Sequence, residues 1–349
     1  MPPYHRLGQI PPKRHTQFRK PDGTLYHEEL FGTEGFSNDY SNIYYNYAPT
    51  RVKKIEPFTR QQYPFEEWHQ DVQRHHHLKT AQLQRGGDAV LGRQNLMFNK
   101  DIIIGIALPD KNMDYFYRDG DSDLMYFVHD GHGMLETTFG LLPYHEGDYI
   151  IIPRGTIFRF DIPADSTNTR LLAVESHGPI APPNRYLSKH GQLLEHSPYC
   201  ERDIRRPEEL VTHTERGDFE PITGRIHQPP PVHQTFQGPN YVLCSFVPRK
   251  LDYHPLSIPV PYNHSNIDSD EMLYYVNGNF GSRKGIERSS ISLHPRGIPH
   301  GPHPGAVEKS LGAERTEELA VMIDTFYPLK YTTIAQSIDD PGYPTSWFE

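Results

Sequence analysis

Two histidines and a glutamate, His264, Glu271 and His300, stand in one half of an internal repeat and are replaced in the other half by side chains that do not ligate. The repeat pairs Asp121-Ser-Asp-Leu-Met-Tyr-Phe-Val-His-Asp-Gly131 with Asp268-Ser-Asp-Glu-Met-Leu-Tyr-Tyr-Val-Asn-Gly278. Aligned on the two glycines, Glu271 falls opposite Leu124 and His264 opposite Tyr117. Downstream, Pro153-Arg-Gly155 matches Pro295-Arg-Gly297, which sets His300 opposite Phe158. Two imidazoles and one carboxylate are the donor set of non-haem Fe(II) oxygenases, which leave octahedral positions open for substrate and O2. A zinc ion would instead favour a closed tetrahedral set. Read singly, each of the three residues is an ordinary polar side chain; the joint appearance in one copy is what points to a metal.

The spacing carries a structural demand. On one continuous strand, residues seven apart face opposite sides, so Asn266-Ile-Asp-Ser-Asp270 must turn for His264 and Glu271 to meet, and its composition suits a turn. Further histidines crowd the same stretch: His227, His233, His254, His294 and His303. His294 lies on the segment leading to His300, where it could support a ligand or donate to substrate. His227 and His233 flank Pro229-Pro-Pro231, a stiff segment able to hold a general base over the site. Arg74-His75-His76-His77 is also tempting, but three adjacent histidines rarely converge on one ion, and the reading is a solvated loop.

These residues need a scaffold of short strands. Asp101-Ile-Ile-Ile-Gly-Ile-Ala-Leu108, Leu124-Met-Tyr-Phe-Val128, Tyr149-Ile-Ile-Ile-Pro153, Tyr241-Val-Leu-Cys-Ser-Phe-Val247 and Glu318-Leu-Ala-Val-Met-Ile-Asp324 are apolar and bounded by turn residues, the pattern of a sandwich or barrel. The 349 residues suffice for two modest domains. The expected division is an aromatic N-terminal arm over 1–50, a first domain without ligands over 51–185, a charged and Pro-rich crossover over 186–237, and a second domain with the metal over 238–349, its tail being surface structure. The arm is expected to pack on the body or on a neighbouring subunit.

Composition excludes several classes. A mean hydropathy of −0.69 looks low, yet 12% aromatics and 33 prolines fit a loop-rich β globule rather than disorder. Net charge of −9 speaks against nucleic acid or an anionic membrane surface as partner. No apolar run approaches the roughly 20 residues of a membrane span, and Met1-Pro-Pro-Tyr-His-Arg6 lacks the apolar core of a secretory leader. With Cys200 and Cys244 the only cysteines, a disulfide framework is not expected, and a cytoplasmic location is.

His264-Ser-Asn266, Glu271 and then Gly278 resemble the first cupin motif, with Asn266 in place of a second histidine, and Gly147-Asp-Tyr-Ile-Ile-Ile-Pro-Arg-Gly155 resembles the second. The fold class so implied is all-β, a double cupin of two jelly-roll barrels with an extended arm. More specifically, Arg14-His-Thr-Gln-Phe18, Leu25-Tyr-His-Glu-Glu-Leu-Phe-Gly-Thr-Glu-Gly-Phe36, Pro229-Pro-Pro-Val-His-Gln-Thr-Phe236, Pro261-Tyr-Asn-His-Ser-Asn266 and Ser292-Leu-His-Pro-Arg-Gly-Ile-Pro-His-Gly-Pro302 resemble the short bacterial form of the homogentisate 1,2-dioxygenase family.

That resemblance implies an Fe(II) oxidoreductase that opens the ring of homogentisate with both atoms of O2, giving maleylacetoacetate in tyrosine and phenylalanine catabolism. It implies His264, Glu271 and His300 as iron ligands, His227 as proton-transfer base, and His294 as a histidine supporting the ligands. Asn266, Phe280, His294 and His300 are implied to meet substrate, Phe280 replacing a family tyrosine. It also implies a homo-oligomer, a trimer or a hexamer of two trimers. Competing readings keep the site but take gentisate, another hydroxylated aromatic acid, or a sugar, or make the chain a non-catalytic metal-binding bicupin.

Overall fold

In the computed structural model, residues 7–33, 35, 37, 40–52, 54–55, 65–210, 225–227, 233–251, 254–260, 262–278, 280 and 285–348 are described, the side chains of 225–227 and 233 excepted. Alternation along the repeated strands sets the architecture. In Asp123–Asp130, Met125 and Phe127 face one way and Leu124, Tyr126 and Val128 the other. In Asp270–Asn277, Met272, Tyr274 and Val276 join the first of these clusters while Leu273 and Tyr275 face away from it. Period-two alternation with both faces buried thus gives each strand one side for its own barrel and one for a core shared between barrels.

An eight-stranded sheet carries, in spatial order, Ile204–Arg205, Arg225–His227, Tyr149–Ile152, Asp123–Asp130, Arg170–Ser176, Ile102–Ala107, Arg93–Phe98 and Lys330–Tyr331. A four-stranded sheet, Tyr117–Arg118, Ile157–Asp161, Gly133–Thr137 and Gly140–Tyr144, accompanies it. The second half holds a six-stranded sheet in the order His233–Gly238, Tyr241–Phe246, Leu319–Thr325, Asp270–Asn277, Ile291–His294 and His76–Leu78. The named strand pairings within the sheets are antiparallel. The fold is all-β, as expected, with one copy of the repeat on each of the two larger sheets.

The copies match beyond strand order. Asp123 accepts hydrogen bonds from the backbone of Arg154 and Ile180, 3.0 Å each. Asp270 accepts from the backbone of Arg296 and Leu329 at 3.0 and 2.8 Å. Gly131 and Gly278, at φ +96° and +99°, end the paired strands, and a Cβ on Gly278 would meet the Glu317 carbonyl at 2.2 Å. No L side chain fits such a position without strain.

Strand exchange cuts across the boundaries expected from sequence. His76–Leu78, assigned to the first domain, lies on the second sheet against Ile291–His294, and Lys330–Tyr331 returns to the first sheet against Arg93–Phe98. The 186–237 crossover likewise contributes Ile204–Arg205 and Arg225–His227 to the first sheet and His233–Gly238 to the second. The histidine run is therefore no solvated loop: His75, His76 and His77 are 7%, 0% and 2% exposed. Backbone pairing decides this, since a lone three-residue strand satisfies its amides only by joining a sheet. In the arm, Phe31, Ile43 and Tyr45 pack on Phe139 of the first barrel. Among the described residues no helix is long and apolar enough to cross a membrane.

At the rim of the shared core, the His129 imidazole and the Tyr274 hydroxyl are hydrogen-bonded across the barrels, and Arg288 forks onto Asp130. Burial, reinforced by the Arg288 and Arg170 charges against the pull of Asp130, pushes His129 down to about 3. It is neutral in the fold and titrates near 6.5 when unfolded. The unfolded chain therefore takes up a proton that the fold refuses, and stability falls as pH drops below about 6.5, by up to about 2 kcal/mol at pH 5 from this group. Urea titrations of the metal-free protein at pH 7 and pH 5 should show that loss, and His129→Gln should flatten it; equal slopes would assign the acid sensitivity elsewhere.

Candidate metal centre

The three repeat-specific residues converge. One ligand atom from each of His264, Glu271 and His300 lies within 4.8 Å of the other two, with the glutamate and His300 buried and His264 partly exposed. His264 and His300 face each other across a backbone bridge, the amide of each donating to the carbonyl of the other at 2.8 and 2.9 Å. Gly301 permits that approach: a Cβ there would meet the Asn263 side-chain oxygen at 2.3 Å and its Cα at 2.7 Å. The turn demanded by the seven-residue spacing is pinned by the Gly297 amide donating to the Asn266 carbonyl at 2.7 Å. Glu271 then enters from the sheet, opposite His294 on one neighbouring strand and Asp324 on the other.

The donor chemistry fits a cation. His300 gives its Nδ1 proton to the Ile298 carbonyl at 3.0 Å, and its buried Nε2 makes no hydrogen bond while lying 3.4 Å from Glu271 Oε1. A buried nitrogen lone pair left beside a carboxylate is poorly satisfied by these groups alone and well satisfied by a metal. His264 Nε2 lies 3.4 Å from Glu271 Oε2. Burial alone would raise the Glu271 carboxyl, but the imidazoles of His264, His294 and His300 set against it hold it well below the usual range. Asp324 goes the other way: burial, with the Glu271 charge beside it, pushes it up to about 7.

The first barrel has the same frame without the donors. Tyr117 and Phe158 are paired in register as His264 and His300 are, their rings 5.6 Å apart, and Leu124 shares their apolar cluster.

Other expected site residues fall in different places. Asn266 sits beside the ligands, its amide within 3.3 Å of both Glu271 Oε2 and Asp324 Oδ1. His294 is fully buried, with Nδ1 2.9 Å from Glu271 Oε1 and Nε2 3.3 Å from the Tyr343 hydroxyl; both nitrogens are committed, so it supports Glu271 and is not turned toward substrate. Phe280 is 8% exposed and packs on Tyr275, their ring centroids 4.7 Å apart. Phe280 shares a cluster with Leu273 and Tyr275, which lie on the same strand face as Glu271. His227 has its backbone on the first sheet opposite Tyr149, and its side chain lies outside the described residues, as do Pro229-Pro-Pro231 and the side chain of His233.

Three neighbours were not anticipated. His75 sets its ring 5.3 Å from His294 and 5.9 Å from His300. Asp324 stands opposite Glu271 as Glu175 stands opposite Leu124, a correspondence the repeat could have revealed. The tail expected at the surface buries Tyr343 and stacks Trp347 on His303 at 4.1 Å.

Replacing Glu271 by leucine, the first copy's residue, should abolish retention of Fe(II), Co(II) or Zn(II) through dialysis while the far-ultraviolet circular dichroism stays that of the parent. A variant that still retains metal would remove Glu271 from the ligand set.

No family model matches the sequence. A Saccharolobus solfataricus protein named "Putative dioxygenase" is 38% identical, with 99% of each chain covered. Homogentisate 1,2-dioxygenase of Bradyrhizobium diazoefficiens is 24% identical over 66% of this chain and 62% of its own length. Among solved structures, a cupin 2 conserved barrel domain protein from Leptotrichia buccalis is 12% identical with a TM-score of 0.39, covering 74% of this chain and 99% of its own.

Proposed function

The chain belongs to the family of the Saccharolobus solfataricus protein, and from that premise we propose that it is a metal-dependent dioxygenase opening the ring of a hydroxylated aromatic acid. Fe(II) is the metal and homogentisate the first substrate to try, with maleylacetoacetate as product. The observation that carries this reading is the convergence of His264, Glu271 and His300 around the unbonded Nε2 of His300. The name of the relative and the weaker likeness to a homogentisate dioxygenase support the reaction class.

Iron held by these three residues would supply the oxygen chemistry, as such donor sets do. The protein's part is orientation and proton handling. His294 Nδ1 fixes one oxygen of Glu271, and the Asn266 amide lies beside the other. Access is from the His264 side, whose side chain is 38% exposed while that of His300 is fully covered. The Asp324 carboxyl, pushed up by its burial in the metal-free protein and lying against the Asn266 amide, is one candidate for moving a proton. His227, from the family resemblance, is the other candidate base. Homo-oligomerisation, as a trimer or a hexamer, belongs to the same proposal.

The test is O2 uptake by anaerobically Fe(II)-loaded protein with homogentisate, gentisate and related acids. Homogentisate should be consumed mole for mole with O2 and give the absorbance of its ring-opened product; Asp324→Asn and His227→Gln should each lower kcat by 10²-fold or more if that residue is the base. Turnover of gentisate alone would move the substrate. Bound iron with no uptake across the panel would favour a metal-binding protein without this activity.

A further inference from the structure

The C-terminal segment touches the second barrel through histidines. Asp339 Oδ1 lies 2.9 Å from His76 Nδ1, the Ser346 hydroxyl 2.6 Å from His303 Nε2, and the Trp347 indole donates to the Gly301 carbonyl at 3.0 Å. A further contact leads to the candidate metal centre. Tyr343, 3% exposed, has its hydroxyl 3.3 Å from His294 Nε2, and His294 Nδ1 is 2.9 Å from Glu271 Oε1. A metal-ligating carboxylate is ionised and can only accept, so Nδ1 carries the proton. A neutral imidazole then has a bare Nε2, and the Tyr343 hydroxyl must be the donor to it. The His294 ring is further clamped between His300, stacked at 4.3 Å and 14°, and His75 on another side.

Resting on the metal reading above, we infer that Tyr343 is a positioning residue: through His294 it orients the Glu271 carboxylate, so that docking of the C-terminal segment and metal binding are coupled. Partners of this kind behind a ligand alter metal affinity by about 10–100-fold. Coupling is reciprocal, so the metal must tighten the tail by the same factor that the docked tail tightens the metal.

The experiment uses the full chain and Co(II), followed by competition with a chelator and by the visible absorption of the bound ion. Tyr343→Phe should weaken Co(II) binding about tenfold and shift the absorption bands, a change that a merely looser fold would not produce. Ser346→Ala removes a hydroxyl that contacts His303 Nε2 and the Tyr343 carbonyl, so it loosens the tail without deleting the Tyr343–His294 hydrogen bond; it should lower affinity less than Tyr343→Phe does and leave the absorption bands at parental values. In the parent, Co(II) should slow amide exchange over residues 343–347 by about the same tenfold, and this measurement needs no variant to fold. Parental affinity and bands in Tyr343→Phe, or the same band shift in Ser346→Ala, would overturn the inference while the metal site stands. Failure of the parent to bind Co(II) would overturn the metal reading, and this inference with it.

Discussion

The second barrel is organised around one buried negative charge. A carboxylate withdrawn from water costs several kcal/mol unless it is paired and hydrogen-bonded, and Glu271 is only 5% exposed. What surrounds it offsets that cost: His294 from the next strand, His264 across the mouth and the Asn266 amide. The demand then propagates. His294 is itself fully buried and needs a second partner, which Tyr343 provides, so a requirement that begins at one strand position extends to the end of the described chain.

The first barrel shows what this frame does when the charge is absent. Its Asp123 ties the same turn as Asp270, and Tyr117 and Phe158 keep the register that joins His264 to His300. With leucine at 124 the interior closes as an apolar cluster. The carboxylate at the position corresponding to Asp324 is Glu175, and it is neutralised by Arg93 at 2.9 Å with both side chains buried. Backbone geometry is thus common to both copies, and three side chains separate a packed interior from a candidate metal centre.

Neither barrel is a self-contained unit. Met125, Phe127 and Leu172 from one sheet and Met272, Tyr274 and Leu293 from the other form one cluster, and short strands cross in both directions. Apolar burial of about 1.5–3 kcal/mol per large side chain ties the sheets together, so the ligating strands of the second barrel rest on the first. The barrel without a metal set is in this sense the foundation of the one that has it.

The repeat singled out the three residues that the fold brings together. Comparing Leu124 with Glu271, Tyr117 with His264 and Phe158 with His300 isolates the candidate metal set, and short apolar runs between turns give the fold class, because both signals are local in sequence. His294 could be placed beside His300 but not given its partners, since Tyr343 lies 49 residues away along the chain. His75, His76 and His77 read as solvated because a polar run looks exposed until a sheet edge claims its backbone. Alignment alone places Phe280 near the site, and its packing on Leu273 and Tyr275 could be read only from the fold. What sequence determined were donor types, spacing and strand periodicity; which histidine meets which partner was decided by long-range pairing and burial, which bring together residues that no local pattern connects.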